Sequence, residues 1–167
     1  MVKNYFSSLL VLLFAALLEG AVLSNITILP AVPDLVLICL IYISINNGKL
    51  FGEISGFFGG LFLDFISASP FGLNCLIRTI LGFLGGLFQK TMNTDGILIP
   101  CILGFIATII KAVLLWIVSI LFPSTVTKYN PFSLLFLFEL GMNAILTPLI
   151  FKLLRMFDKV LLVKKEA

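Results

Sequence analysis

The chain has 167 residues, of which 60% are hydrophobic and 11% are charged, with a mean hydropathy of +1.21 and a formal net charge of +3. Soluble domains are about 45–50% apolar and about a quarter charged, so this composition excludes an ordinary soluble enzyme, a disordered tail and a nucleic-acid-binding domain. The sequence has no histidine and only three scattered cysteines, which excludes His-based triads and His-ligated metals and argues against a disulfide framework.

Six mostly apolar runs follow one another along the chain, and a membrane-spanning helix needs about 20 such residues. In chain order the runs are 5–23, 31–46, 50–67, 71–89, 97–122 and 132–151, and a basic tail follows at 152–167. They predict an all-α, polytopic membrane protein: one integral membrane domain folded as a compact bundle of six transmembrane helices. The first run has the alternative of a signal peptide, but Glu19 and bulky leucines crowd the cleavage region, so we expect it to be retained.

The lysines and arginines predict the orientation of the bundle. With six crossings, one side of the membrane carries eight of them and the opposite loops carry only Lys128; the eight are Lys3, Lys49, Lys90, Lys152, Arg155, Lys159, Lys164 and Lys165. Basic residues favour cytoplasmic loops, so both termini are predicted to be cytoplasmic. The basic tail has the further option of resting on anionic lipid headgroups.

Each apolar run carries at least one ionisable residue within it or at its end: Glu19, Asp34, Glu53, Asp64, Arg78, Lys111 and Glu139. A charge at the centre of a membrane helix costs about 2.5–3.5 kcal/mol, so we expect these side chains to face protein or water. Asp64 and Arg78 lie on consecutive antiparallel helices, at nearly the same depth if the long Arg78 side chain extends outward, so Asp64 is expected to hold either Arg78 or a polar group of a partner. The set as a whole has three interpretations: structural ion pairs, a polar patch that docks a partner, or an ion or substrate path.

Small and polar residues share one face of each later helix. In the third run, Gly52, Gly56 and Gly60 recur every four residues, a spacing that lets a neighbouring backbone approach closely. The phenylalanines of this run are then expected to face lipid. The same pattern recurs in the next three runs, as Asn74, Arg78, Gly82 and Gly85, then Gly104, Thr108 and Lys111, then Glu139 and Asn143.

The middle of the chain carries a recognisable pattern. Pro33-Asp34 opens the second run, the glycine-rich stretch 56–64 ends in Gly60-Leu-x-x-Asp64, and a short turn with Gly72 follows. Over about residues 33–86, and in its length and six-run layout, the chain resembles the bacterial rod shape-determining protein MreD family. The matching positions are Pro33, Asp34, Gly56, Gly60, Asp64 and Gly72.

The resemblance implies a non-enzymatic subunit of the cell-elongation (rod) complex in the bacterial cytoplasmic (inner) membrane. Such a subunit regulates cell shape and peptidoglycan synthesis by binding the scaffold protein MreC, and through it meets MreB filaments and the elongation glycosyltransferase–transpeptidase pair. No cofactor or metal is implied. The candidate site is a partner-binding or structural polar cluster of Pro33, Asp34, Gly56, Gly60, Asp64, Arg78, Glu19, Lys111 and Glu139.

A second class of membrane protein has similar size and a similar number of spans. The substrate-binding subunits of energy-coupling-factor vitamin transporters dock their coupling subunit through an Ala-x-x-x-Ala motif in the first span. The equivalent here, Ala16-x-x-x-Gly20, has the small-residue spacing without being that motif. A vitamin-binding subunit also needs aromatic groups that stack on its ligand, and the only tryptophan of this sequence is Trp116. We therefore expect the shape-determining function and keep the transporter subunit as the alternative.

Overall fold

The computed structural model describes residues 2–22, 31–67, 69–89, 91, 92, 94, 96–124, 126, 130 and 133–163, and within these ranges it contains helices and no strand. The all-α prediction is therefore confirmed for the part of the chain that is described. The elements are α1 Val2–Leu17, a π-helical turn Leu18–Val22, α2 Leu35–Asn47, α3 Lys49–Ile66, α4 Leu73–Leu87, α5 Leu98–Leu121, α6 Leu134–Arg155 and α7 Asp158–Leu161.

Six helices lie at the six predicted apolar runs, with two boundaries displaced. The helix α2 begins at Leu35 rather than at 31, because Asp34 caps it by accepting a hydrogen bond from the Leu37 N–H at 2.8 Å. The helix α6 continues to Arg155, so the first residues of the predicted tail form its last turn. There the positive charges of Lys152 and Arg155 interact favourably with the negative end of the helix dipole. The tail also contains a further short helix, α7, that packs against the bundle.

Within the described part of the chain, three helical segments are long and apolar enough to cross a membrane: Asn4–Ala21, Leu98–Leu121 and Leu134–Arg155. The helices α2 and α4 are apolar but shorter. The crossing of the membrane by all six helices, and the side on which the termini lie, stay predictions. Of the basic residues behind the orientation, Lys90, Lys128, Lys164, Lys165 and the side chain of Lys3 lie outside the described residues.

The helix α2 is the centre of the bundle. Its 13 residues give a length of about 20 Å at the usual helical rise, shorter than the ~30 Å hydrocarbon core of a bilayer. Every residue from Val36 to Ile45 is buried. A helix this apolar on all faces is stable only when other helices surround it, and α2 packs against α1, α3, α4, α5 and α6.

The closest pair of helices is α3 and α4, which run antiparallel. Gly52 meets the backbone of Gly82, Gly56 meets the backbone of Arg78, and a Cβ on Gly60 would lie 2.5 Å from the Asn74 carbonyl oxygen. The predicted ladder of glycines thus forms the seam between these two helices. On the other side of α3, the phenylalanines at 57, 58 and 65 are exposed.

The remaining contacts show that the helices α1 to α6 alternate in direction along the chain. Tyr5 stacks on Phe51 with ring centroids 3.9 Å apart, and Gly20 meets Ile66, so α1 and α3 are parallel. At one end of the bundle, Asn4 near the start of α1 contacts the segment after α6. The other end holds the charged side chains described next.

Candidate functional site

The site is a buried cluster of five charged side chains, which we call the charge cluster: Glu19, Asp34, Arg78, Lys111 and Glu139. They come from the π-helical turn, the residue that caps α2, and the helices α4, α5 and α6. In sequence they are separated by up to 120 positions, and only the packing of the bundle brings them together.

Asp34 lies at the middle of the charge cluster because it is fixed at the N-terminus of α2. Pro33, which has no N–H to leave unsatisfied, precedes it and is buried. The Asp34 side chain caps the Leu37 N–H, and its own N–H donates to the Asn143 Oδ1 of α6 at 2.8 Å. These contacts hold the carboxylate in place, and its Oδ2 atom faces α4 and α5.

Two cationic side chains converge on this carboxylate. Arg78 donates from Nη1 and Nη2 to Asp34 Oδ2 at 3.2 and 3.1 Å, and its Nη2 lies 3.0 Å from Oδ1. Lys111 places its Nζ 2.6 Å from Asp34 Oδ2. The side chains of Asp34 and Arg78 are only 2% and 3% exposed, so this pair lies in a low-dielectric interior where an unpaired charge is very unfavourable.

Two glutamates lie at the rim of the charge cluster. Glu139 accepts from Lys111 Nζ at 2.6 Å, while Glu19 lies 4.0 Å from Arg78 Nη2 and accepts a 3.3 Å hydrogen bond from the Val36 N–H. The side chains of Glu19, Lys111 and Glu139 are 17%, 17% and 15% exposed. These three groups are therefore the part of the charge cluster that another molecule can reach.

The charge cluster contains one more carboxylate than cationic groups, and its weakest pairing is that of Glu19. The Nε atom of Arg78 is buried and has no hydrogen-bond partner among the described residues. The ion pairs of the charge cluster hold the π-helical turn, the start of α2 and the helices α4, α5 and α6 in fixed positions. Because carboxylates are in excess, the rim of the charge cluster is acidic. Its chemistry suits recognition of a charged or polar group.

Neutral polar side chains extend the charge cluster into the α5–α6 interface. Asn143 donates to the Thr108 hydroxyl at 3.0 Å, and that hydroxyl donates to the Gly104 carbonyl. Asn143 and Thr108 are fully buried. The candidate residues did not include them, although helical spacing places Thr108 on the face of Lys111 and Asn143 on the face of Glu139.

The predicted pairing of Asp64 with Arg78 is wrong. Asp64 instead accepts hydrogen bonds from the backbone N–H groups of Gly72, Asn74 and Cys75 at 2.9, 3.0 and 3.1 Å, and from the Asn74 side chain at 3.0 Å. The cause is the short turn between α3 and α4. It brings the free N–H groups at the start of α4 to Asp64, while Gly72 has no side chain with which to cap them.

The other two candidate residues, Gly56 and Gly60, do not contact the charged groups themselves but position the backbone that carries one of them. Gly56 packs directly on the backbone of Arg78, and Gly60 packs on the backbone of Asn74 and Cys75. The glycine seam therefore sets the depth and rotation of α4, and through it the place of the Arg78 guanidinium.

Comparison with known proteins identifies one family. The family model of the rod shape-determining protein MreD matches residues 2–157 of the 167-residue chain. No curated protein and no solved structure matches the chain. All five residues of the charge cluster lie within the matched range.

Proposed function

The chain belongs to the MreD family of rod shape-determining membrane proteins, and we propose that it is a non-enzymatic subunit of the bacterial cell-elongation (rod) complex. In this role it binds the scaffold protein MreC and thereby regulates peptidoglycan synthesis and cell shape. Its contact with MreB filaments and with the elongation glycosyltransferase–transpeptidase pair is indirect. The observation that carries the proposal is the family match over almost the whole chain.

We further propose that all six long helices cross the bacterial inner membrane and that both termini are cytoplasmic. The excess of basic residues predicted for the side of the termini supports this orientation. Among the described residues, Lys49, Lys152 and Lys159 are exposed and belong to that side. The charge cluster then lies towards the outer surface, where a periplasmic scaffold is reached.

We propose that the rim of the charge cluster is the docking site for MreC. The exposed fractions of Glu19, Lys111 and Glu139 support this, since a partner needs groups that it can touch, whereas Asp34 and Arg78 are enclosed. The surplus carboxylate favours a partner that brings a basic or hydrogen-bond-donating side chain. Electrostatic complementarity of this kind gives specificity more than affinity.

The test of the proposal is mass spectrometry of the proteins that co-purify with the tagged chain from its native membrane in mild detergent. We expect MreC or the elongation synthase. Paired ATPases with a coupling membrane subunit would instead support the alternative, a substrate-binding subunit of an energy-coupling-factor transporter. Recovery of neither group would contradict both functions.

Variants then test whether the rim is the docking site. Glu139→Gln removes one rim charge and keeps the size of the side chain, so we expect MreC recovery to fall at least fivefold at equal protein level. Glu53→Gln is the matched control, because Glu53 is an exposed glutamate of α3 outside the charge cluster. Equal recovery with both variants would contradict docking at the rim.

A further inference from the structure

At the end of the bundle opposite the charge cluster, the chain folds back on itself after α6. A turn at Met156 and Phe157 leads into α7, and Leu162 is extended. We call residues 158–163 the strap. It lies across the start of α1 and the end of α2, and Leu161 is 1% exposed.

Two asparagines hold the strap by its main chain. Asn4 of α1 donates from Nδ2 to the carbonyl oxygens of Val160 and Leu162 at 3.1 and 2.6 Å. Asn47 of α2 donates to the Leu161 carbonyl at 3.2 Å and accepts from the Val163 N–H at 2.8 Å. The two asparagines thus share successive main-chain groups at the point where the short helix α7 ends and the chain becomes extended.

Four side chains of the strap contact the bundle, and Leu162 and Val163 among them are half-buried against the hydrophobic core. Leu161 fills the buried position between the helices, and the carboxylate of Asp158 accepts a hydrogen bond from the Tyr42 hydroxyl. The requirement on the bound segment is therefore an acidic residue three positions before a leucine, with two apolar residues after the leucine. The main-chain contacts place no further demand on its sequence.

Two observations suggest that the strap occupies a site rather than completes the fold. The family match ends at residue 157, immediately before the strap begins. A cleft of about 490 Å³ continues from Val163 and is lined by Tyr5, Lys49 and Gln89, among others. The surface under the strap therefore has room for a peptide that runs further than Val163.

We propose that the surface formed by Asn4, Tyr42 and Asn47 is a peptide-binding site, and that the strap is its built-in occupant. When the strap is released, the site takes a segment of a partner protein that forms the same helical turn, with the pattern acidic-x-x-Leu followed by two apolar residues. The strap keeps the site closed in the unpartnered chain. This proposal does not depend on MreC or on the function of the charge cluster.

The experiment measures binding of a fluorescent peptide with the sequence of residues 158–163 to the purified full-length chain in detergent. In the wild type, the attached strap competes at an effective concentration on the order of millimolar, so binding is weak. Leu161→Glu places a charge in the buried position and releases the strap, and we expect the peptide to bind at least tenfold more tightly. Lys159→Glu introduces the same residue at an exposed position of the strap and should leave binding as in the wild type.

Further variants identify the site and guard against misfolding. Adding Asn47→Ala to Leu161→Glu should abolish the gain, because it removes both main-chain contacts of that side chain. Asp158→Lys removes the acceptor of the Tyr42 hydroxyl and leaves Leu161 unchanged, so it should raise peptide affinity in the same direction by a smaller factor. The proposal is overturned if neither strap variant binds the peptide more tightly than the wild type, or if the gain persists without Asn47.

Discussion

The two ends of α2 are held by opposite kinds of contact. At its N-terminus, Asp34 is fixed by the charged side chains of Arg78, which is buried, and of Lys111, which lies at the rim. At its C-terminus, Tyr42 and Asn47 hold the strap, and Asn47 does so through neutral hydrogen bonds to main-chain atoms. One end joins helices of the bundle to one another, and the other joins the bundle to a short appended segment.

The difference between ion pairs and neutral hydrogen bonds determines which end of α2 can exchange its contacts. Breaking a buried ion pair by removing one partner costs about 3–5 kcal/mol, because the remaining charge stays in a low-dielectric interior. A neutral hydrogen bond contributes about 0.5–1.5 kcal/mol net, since water replaces it when it breaks. The charge cluster is therefore a permanent feature of the fold, and the strap is the part that can detach.

The largest effect is expected when a charge at the centre of the charge cluster is removed. Arg78→Leu leaves three carboxylates with Lys111 alone, and we expect a loss of about 3–5 kcal/mol in the free energy of unfolding. Asp34→Asn should cost clearly less, because the remaining two acids and two bases balance and asparagine still caps α2. Reversible unfolding in mixed detergent micelles measures both values.

The double variant sharpens this prediction. Asp34→Asn combined with Arg78→Leu should be more stable than Arg78→Leu alone, since it removes the uncompensated central carboxylate. If the two single variants cost the same and the double variant costs their sum, Asp34 and Arg78 do not act as a pair.

The second prediction concerns the glycine seam, which sets the position of Arg78 from behind. Gly56→Val forces a side chain into the backbone of Arg78, so we expect a loss of about 1–3 kcal/mol from overpacking. Gly141→Ala is the control, because no atom lies within 4 Å of a Cβ at this position of α6. It should be neutral or stabilising by up to ~1 kcal/mol through helix propensity; equal losses in the two variants would contradict a specific role of the seam.

The third prediction separates Asp64 from the charge cluster. Asp64→Ala removes the cap of α4 and should cost about 0.5–2 kcal/mol, the usual range for a lost N-cap. Asp64→Asn should recover part of this, because its side-chain oxygen still accepts hydrogen bonds from the start of α4. In a double-mutant cycle, Asp64 should couple to Asn74. A strong coupling of Asp64 to Arg78 would instead indicate an ion pair between them and would contradict this prediction.

The smallest predicted effect is at the strap. Asn47→Ala should lower the free energy of unfolding by only about 0.5–1.5 kcal/mol, but it should make the strap much more sensitive to cleavage after Lys159. Limited trypsin digestion followed by intact-mass measurement detects this. Unchanged cleavage would mean that Asn47 does not retain the strap.

Sequence patterns predicted the helices and their polar faces because both follow from periodicity. Gly104, Thr108 and Lys111 share a helix face at any tertiary arrangement, and so do Gly52, Gly56 and Gly60. Periodicity does not determine which helix each face meets, and this is why Arg78 was assigned to Asp64 rather than to Asp34. The neighbour in sequence was favoured over a residue 44 positions away.

The strap and the π-helical turn left no such signal. The helix α7 has four residues, too few for a hydrophobic period, and its contacts are mostly to main-chain atoms, which every sequence possesses. Glu19 was recognised as a candidate from its charge alone, but its weak pairing with Arg78 depends on the geometry of the π-helical turn. Features that depend on backbone geometry and long-range packing need a structure.

Site-specific photocrosslinking tests most directly whether MreC docks at the rim of the charge cluster, as we propose. A photoreactive residue at position Leu135 lies one turn from Glu139 on the exposed side of α6, while Leu153 lies on the same side near the other end; their exposed fractions are 55% and 56%. With MreC co-expressed, we expect a strong crosslink from position 135 and none from position 153. A crosslink from position 153 alone, or from neither position in a folded complex, would contradict it.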